Sequence, residues 1–220
     1  MAKISNENNF TYLFISLVIL FFSISIMTYV QSSWLSNIIE LLILSVLLIS
    51  VRSLKSGESW NVAVYIMIFF LIAIFISNKI FTDTTFTDIS HLIILLLFFL
   101  GSLRLSYKQI LMSKEITTNM IIGSLVLYFF LALIWTTIYL ILLIIFPEGF
   151  NGLIALPWKE NFAQVIYFSF ITLTTLGYGD ISPTNHITEF FVYSEAIVGV
   201  FYMAIIVSSL VSARLEIIRK

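Results

Sequence analysis

Residues 174–180 have the sequence Thr-Thr-Leu-Gly-Tyr-Gly-Asp. The glycines of this heptapeptide, Gly177 and Gly179, alternate with larger residues, and glycine reaches backbone angles that other residues avoid. An extended segment of this kind can turn its carbonyl groups to one side while Leu176 and Tyr178 pack on the other. The heptapeptide therefore predicts a loop whose functional groups are main-chain oxygens.

The residues around the heptapeptide predict a helix that is too short to cross a membrane. The stretch 147–186 contains all three prolines and half of the eight glycines, yet its middle, Phe162–Leu173, is apolar. A membrane span needs about 20 apolar residues, so we predict a re-entrant half-helix near Asn161–Thr174 that leads into an extended loop. The negative end of this half-helix would favour a cation in mid-membrane.

The composition of the whole chain is that of a multi-span membrane protein. Of its 220 residues, 60% are hydrophobic and only 10% are charged, and the mean hydropathy is +1.07. Such a chain cannot cover a soluble surface with charge. The net charge of −1 and the lack of a basic face argue against a nucleic-acid partner, and the absence of cysteine excludes disulfides and thiolate metal sites.

Six long apolar segments are each close to the length that a lipid bilayer requires, and lipid-exposed backbone favours helices. We therefore predict an all-α membrane protein with six transmembrane helices and a re-entrant pore helix between the fifth and sixth. Residues 1–115 form a four-helix domain, and residues 116–220 form the domain that contains the loop. The predicted spans are Phe10–Val30, Trp34–Val51, Trp60–Ile80, Ile89–Leu105, Thr118–Phe146 and Ile187–Ala213.

The basic residues predict the orientation of these helices. Nine of the eleven lysines and arginines fall on one side of the predicted spans, and only Lys79 and Lys159 fall on the other. Since basic loops stay in the cytoplasm, both termini are predicted to be cytoplasmic and residues 147–186 to face outward. Acidic side chains would then surround the outer mouth and attract cations.

Residues 174–180 resemble the selectivity-filter signature of the potassium-channel pore family. The resemblance covers roughly the last 105 residues, and it departs from the family at Leu176, where valine or isoleucine is usual. It implies a homotetramer that conducts K⁺ passively across a lipid bilayer, with neither enzymatic activity nor a cofactor. The implied filter comprises Thr175, Leu176, Gly177, Tyr178 and Gly179, and K⁺ would bind at the first four of these residues.

The same resemblance implies roles for residues around the filter. Thr174 and Asp180 flank the filter, and Tyr167 occupies a position from which its hydroxyl could bond Asp180. Phe168 occupies a position where the family often has a second hydrogen-bond donor, which phenylalanine lacks. We therefore expect fewer hydrogen bonds behind the filter, or simple packing at these positions.

Further expectations concern the sixth segment. Gly199 lies where the family has a gating hinge, although a glycine there would equally serve close helix packing. The alignment places Val200, Met203 and Val207 along the inner cavity. Glu195 is an acid inside a span and hence a functional candidate, which could bond Thr172 or Thr174 or be protonated and packed.

The first four segments resemble the sensor domain of voltage-gated channels in number only. Arg104 is the single basic residue of the predicted fourth span, so there is no ladder of gating charges, and weak or absent voltage dependence is expected. A pH-sensitive pair between Glu40 and His91 is a further hypothesis, with exposure to an aqueous crevice as its alternative.

Three other functions are alternatives to potassium conduction. A less selective cation channel would usually lack Tyr178 or alter the Gly-Tyr-Gly sequence. An enzyme would need clustered catalytic groups, whereas His91 and His186 are isolated, and a transporter would favour broken helices in two repeats. The short loops favour a cell-membrane protein of prokaryotic type.

Overall fold

The computed structural model describes residues 8–30, 58–77, 84–111 and 117–208 as continuous stretches. It also describes residues 42–43, 45–46, 48–49, 53–54 and 212. The predicted Glu40–His91 pair lies partly outside the described residues, because it requires Glu40.

Helices dominate the described chain, since a helix satisfies its backbone hydrogen bonds internally in lipid. A π-helical segment, Tyr202–Val207, continues the sixth α-helix, and two short strands flank the fifth. The elements in chain order are α1 Asn9–Val30, α2 Glu58–Ser77, α3 Thr84–Leu111, α4 Thr118–Ile145, β1 Phe150–Asn151, α5 Trp158–Leu173, β2 Ser182–Pro183 and α6 His186–Phe201.

Four of these helices are long and apolar enough to cross a membrane: α1, α3, α4 and α6 with its π-helical extension. Helix α2 contains a shorter apolar stretch, Ser59–Ile74. The predicted second span, residues 34–51, lies mostly outside the described residues, although the described pairs at 42–43, 45–46 and 48–49 are helical. Six spans therefore stay a prediction.

Helix α4 is the central helix of the described structure. It packs against α1, α3 and α5, and less extensively against α6. Its sequence is apolar on all sides, as expected of a helix that is enclosed by other helices. Phe130, Leu133 and Tyr139 are completely buried along it. This position makes α4 the support on which α5 and α6 are placed.

A buried polar cluster fixes the start of α1 against the start of α4. The side-chain amide of Asn119 donates to Asn9 Oδ1 at 2.7 Å, and the Phe10 backbone N–H donates to Asn119 Oδ1 at 3.2 Å. Asn9 Nδ2 also donates to the Ser53 carbonyl at 2.7 Å. These bonds satisfy polar groups that would otherwise be costly to bury.

Two predicted helices differ from the structure. Helix α5 begins at Trp158, three residues before the predicted start near Asn161, because Pro157, with a non-helical ψ angle of 139°, is its N-cap. The sixth predicted span is not a single α-helix, since its hydrogen bonding widens to π-helical over Tyr202–Val207. Single-turn π segments break the regular register of side chains along a helix.

The two strands join the chain before α5 to the chain after the heptapeptide. They are antiparallel, with Phe150 opposite Pro183 and Asn151 opposite Ser182. This small sheet was absent from the all-α prediction. It brings both ends of the segment that contains α5 and the heptapeptide to one place.

Candidate functional site

Helix α5 is held at its first turn by neighbours from other parts of the chain. The ring of Trp158 lies 4.9 Å from the ring of His91 on α3, measured between centroids, and both side chains are buried. The Asn161 side-chain amide donates to the carbonyls of Ile154 at 2.9 Å and Leu156 at 3.2 Å. These contacts fix the start of the helix, so its last turn has a defined position.

The heptapeptide folds back on the last turn of α5 through its backbone N–H groups. The Thr175 N–H donates to the Thr172 carbonyl at 2.9 Å, and the N–H groups of Leu176 and Gly177 donate to the Ile171 carbonyl at 2.9 and 3.1 Å. Carbonyls at a helix C-terminus lack partners within the helix, and the loop supplies donors to them. The N–H groups of the loop are thereby directed toward α5.

Three alternating residues of the heptapeptide have positive φ angles: Thr175 at 59°, Gly177 at 49° and Gly179 at 82°. Leu176 and Tyr178 between them do not. In an ordinary strand successive carbonyls point to opposite sides, and alternation of the sign of φ counteracts this reversal. Gly177 and Gly179 have open space where a Cβ would stand, so it is the backbone angle that requires glycine.

Thr175 is the exception among these three, because it carries a side chain. It is the single non-glycine residue with positive φ in the part of the chain that the structure describes. Such conformations cost on the order of 1–3 kcal/mol and occur preferentially at functional sites. Sequence reasoning assigned the unusual backbone to the glycines alone and did not predict that Thr175 shares it.

Residues 174–180 are all exposed in the single chain. The side chain of Leu176 is 55% exposed and that of Tyr178 is 67% exposed. We expected these two side chains to pack behind the loop, but the described residues of the same chain leave more than half of each uncovered.

The predicted hydrogen bond between Tyr167 and Asp180 is present. The Tyr167 hydroxyl donates to Asp180 Oδ2 at 2.9 Å, which links α5 to the residue that follows the second glycine. Phe168, its neighbour, is buried among aromatic rings instead. Its centroid lies 5.2 Å from that of Tyr139 and 5.8 Å from that of Phe150. Thr174 ends α5, and its hydroxyl donates to the Phe170 carbonyl at 2.7 Å.

Glu195 is completely buried and joins three helices through its carboxyl group. The Tyr139 hydroxyl of α4 donates to Oε2 at 2.5 Å, and the Ser169 hydroxyl of α5 donates to Oε1 at 2.6 Å. The predicted bonds to Thr172 or Thr174 were wrong, because Glu195 projects from α6 toward an earlier turn of α5. The packed position agrees with the other alternative considered for this residue.

Gly199 lies directly against the end of α5. A Cβ on Gly199 would overlap the carbonyl oxygen of Leu173, which is a main-chain atom that cannot rotate away. Close helix packing therefore accounts for a glycine at this position, as small residues allow in membranes. The hinge role stays a prediction.

The three residues that were predicted to line a cavity, Val200, Met203 and Val207, lie on α6 and its π-helical extension, and their role stays a prediction. Val200 and Met203 are 54% and 53% exposed in the single chain. The side chain of Val207 lies outside the described residues.

Sequence reasoning missed Tyr139 and Ser169, the two partners of Glu195. Both are among several hydroxyl-bearing residues of α4 and α5, and hydroxyls are common in membrane helices, so neither stands out in the sequence. The one available signal was the buried acid itself, since an intramembrane carboxyl requires partners.

Comparison with known proteins bears on the C-terminal part of the chain. Residues 116–215 match the family model described as an ion channel, and no curated protein or solved structure matches the chain. The match spans α4 through the π-helical segment. It supports an ion-channel pore in this part of the chain and points to a channel and not to an enzyme. Together with the apolar helices it indicates a membrane protein.

Proposed function

We propose that four copies of this chain assemble around a common axis into a potassium-selective channel. Residues Thr175–Gly179 of each copy form the filter, and K⁺ crosses passively without a resident cofactor. The protein lies in the cell membrane with both termini in the cytoplasm, and residues 1–115 form a four-helix transmembrane domain without a ladder of gating charges.

The observation that carries this proposal is the backbone of the heptapeptide. Its N–H groups at Thr175, Leu176 and Gly177 donate to the end of α5. Its φ angle is positive at every second residue from Thr175 to Gly179. Both features favour a strand whose carbonyl groups all point to one side, and this side faces away from α5. Rings of such carbonyls can replace the hydration shell of K⁺.

The exposed side chains support assembly into a homotetramer. Leu176 and Tyr178 are large apolar or aromatic groups that the described part of the chain leaves uncovered. Exposed apolar groups of this kind commonly mark an interface. One filter strand per chain can supply only one side of a carbonyl cage, so several copies are required, and four is the number in the family that the sequence resembles.

The opening of this channel is proposed to depend weakly on voltage or not at all. Arg104 and Lys108 are the basic residues of α3, one helical turn apart near its end. This arrangement differs from a ladder of charges that spans the membrane. Gly199 is retained as a candidate hinge, and Val200, Met203 and Val207 as candidate residues of the inner cavity.

The reversal potential tests this function directly. Purified protein in planar bilayers, with mostly K⁺ on one side and mostly Na⁺ with a low K⁺ concentration on the other, is expected to reverse near the equilibrium potential of K⁺. Conductance measured over a voltage range should change little. Reversal close to zero would instead indicate a less selective cation channel, and a steep conductance–voltage curve would contradict the proposed gating.

The same recordings distinguish the backbone of the filter from its side chains. Gly177→Ala places a Cβ at a positive φ angle, which costs about 1–2 kcal/mol per chain for L-residues, so selectivity for K⁺ should fall. Leu176→Val is the matched control, because it alters a neighbouring side chain and leaves the backbone unchanged. Retained selectivity in Gly177→Ala would refute the backbone argument.

A separate prediction concerns the bond between Tyr167 and Asp180. Tyr167→Phe removes the hydroxyl that donates at 2.9 Å, so the conducting filter should be held less firmly. Macroscopic current is expected to decay at least about twofold faster, since a net hydrogen bond contributes about 0.5–1.5 kcal/mol. Tyr193→Phe is the control, because Tyr193 is an exposed residue of α6. If both variants hold their current equally, the bond has no role in filter stability.

A further inference from the structure

An apolar groove of about 580 Å³ lies between α3, α4 and the sixth span. This volume falls within the range of about 300–1,000 Å³ that ligand sites occupy. Its walls are almost entirely hydrocarbon, and a single charged side chain, Arg104, stands in them. Representative lining residues are Leu103, Arg104, Tyr107, Leu131, Phe201 and Ile205.

The depth of Arg104 is fixed by its position on α3. The predicted fourth span begins at Ile89, at the end predicted to face outward. Arg104 follows 15 residues later, which is about 22 Å along the helix at 1.5 Å per residue. It stands one residue before Leu105, the predicted end of the span. Arg104 therefore lies at the predicted cytoplasmic boundary, and Tyr107 beside it is a residue type enriched at such boundaries.

Within the described part of the chain, no ion pair joins the guanidinium group of Arg104 to a carboxylate. A guanidinium next to an apolar wall is favoured when an anion compensates it. The groove thus combines a hydrocarbon wall with a cation at the level of lipid headgroups.

The groove opens on a face of the sixth span that the proposed pore does not use. Val198, Phe201 and Ile205 recur at intervals of three and four residues and line the groove. Val200 and Met203, the candidate cavity residues, fall between them and project to other sides. Phe201 and Ile205 are 59% and 57% exposed. A ligand in the groove would contact the sixth span from outside the conduction path.

We propose that this groove binds an anionic phospholipid of the cytoplasmic leaflet. One acyl chain lies along Leu103, Leu131 and Ile205, and the phosphate is bound by Arg104 at the membrane boundary. The occupant contacts both α3 and the π-helical segment, so its binding links the N-terminal helices to the sixth span. Lipid binding does not require that the channel conduct K⁺, and it can be measured when no current is present.

Binding is tested with the full-length protein in detergent by native mass spectrometry. The probes are phosphatidylglycerol and phosphatidylcholine with identical acyl chains. More phosphatidylglycerol than phosphatidylcholine should be retained per chain. Arg104→Gln should reduce the retained phosphatidylglycerol about fivefold, which corresponds to the ~1 kcal/mol contributed by one basic residue near an anionic surface.

Two further variants test whether the lipid binds in the groove itself. Lys108→Gln removes a cation one helical turn away that does not line the groove, and it should change binding much less than Arg104→Gln. Leu103→Trp fills the groove and should reduce binding of both lipids. Equal retention of the two lipids, or equal losses in Arg104→Gln and Lys108→Gln, would overturn the proposal, because either result indicates nonspecific adsorption.

Discussion

Replacing Gly199 with alanine is expected to separate the sixth span from α5 and to destabilise the assembled protein. In an ordinary helix this change is stabilising by roughly 1 kcal/mol. Here the added methyl group would overlap the main-chain oxygen of Leu173. Overpacking of this kind costs about 1–3 kcal/mol. We expect a lower melting temperature in detergent and a smaller tetramer fraction in size-exclusion chromatography.

This substitution also separates the two roles considered for Gly199. A hinge would tolerate the methyl group in the folded state, so Gly199→Ala would leave the melting temperature unchanged and alter only the open probability. Close packing predicts a loss of stability even when the channel is not conducting. Val200→Ile is the matched control, because it adds one methylene at the adjacent position, which is half exposed. A normal melting temperature in Gly199→Ala would refute the packing role.

Truncation of Glu195 to alanine is expected to have the largest effect on stability. It leaves a cavity and removes the acceptor of the buried Tyr139 hydroxyl. Ser169 loses its acceptor on the same carboxyl group, but its hydroxyl oxygen lies 3.0 Å from the Ala132 carbonyl oxygen and can donate to it. The combined cost is about 2–4 kcal/mol. Thermal unfolding in detergent measures it.

Three further variants test this explanation. Glu195→Gln keeps the shape and an acceptor oxygen, so most of the stability should remain. Adding Tyr139→Phe to Glu195→Ala removes the orphaned hydroxyl and should recover part of the loss, as a double-mutant cycle would show. Glu189→Ala is the control, since this acid is exposed on the same helix and its described ion pair is with the exposed His186. Equal effects of Glu195→Ala and Glu189→Ala would contradict a structural role of the buried carboxyl.

The long apolar helices and the re-entrant half-helix could be predicted from the sequence because their signals are local. Apolar runs of bilayer length define α1, α3 and α4 to within a few residues, apart from the polar ends of α3. The predicted contact between Tyr167 and Asp180 is also present, because both residues lie within one short segment whose geometry the heptapeptide determines.

Other features depend on contacts between distant segments, and they could not be read from local patterns. The partners of Glu195 come from residues 26 and 56 positions away. The wide turn at Tyr202 coincides with a hydrogen bond from its hydroxyl to the Ser124 carbonyl, 78 residues earlier. The packing of Gly199 depends on the end of another helix. Periodicity carries no record of such tertiary contacts.

The position of Glu195 in the chain has a consequence for biosynthesis. Helix α6 with its extension is the least apolar of the four described helices that can cross a membrane, and it leaves the ribosome after α4 and α5. Moving a carboxyl group without hydrogen-bond partners into lipid costs free energy. By that time Tyr139 and Ser169 are already synthesised, and their hydroxyls can donate hydrogen bonds to the carboxyl group of Glu195. We therefore expect insertion of α6 to depend on the correct docking of α4 and α5.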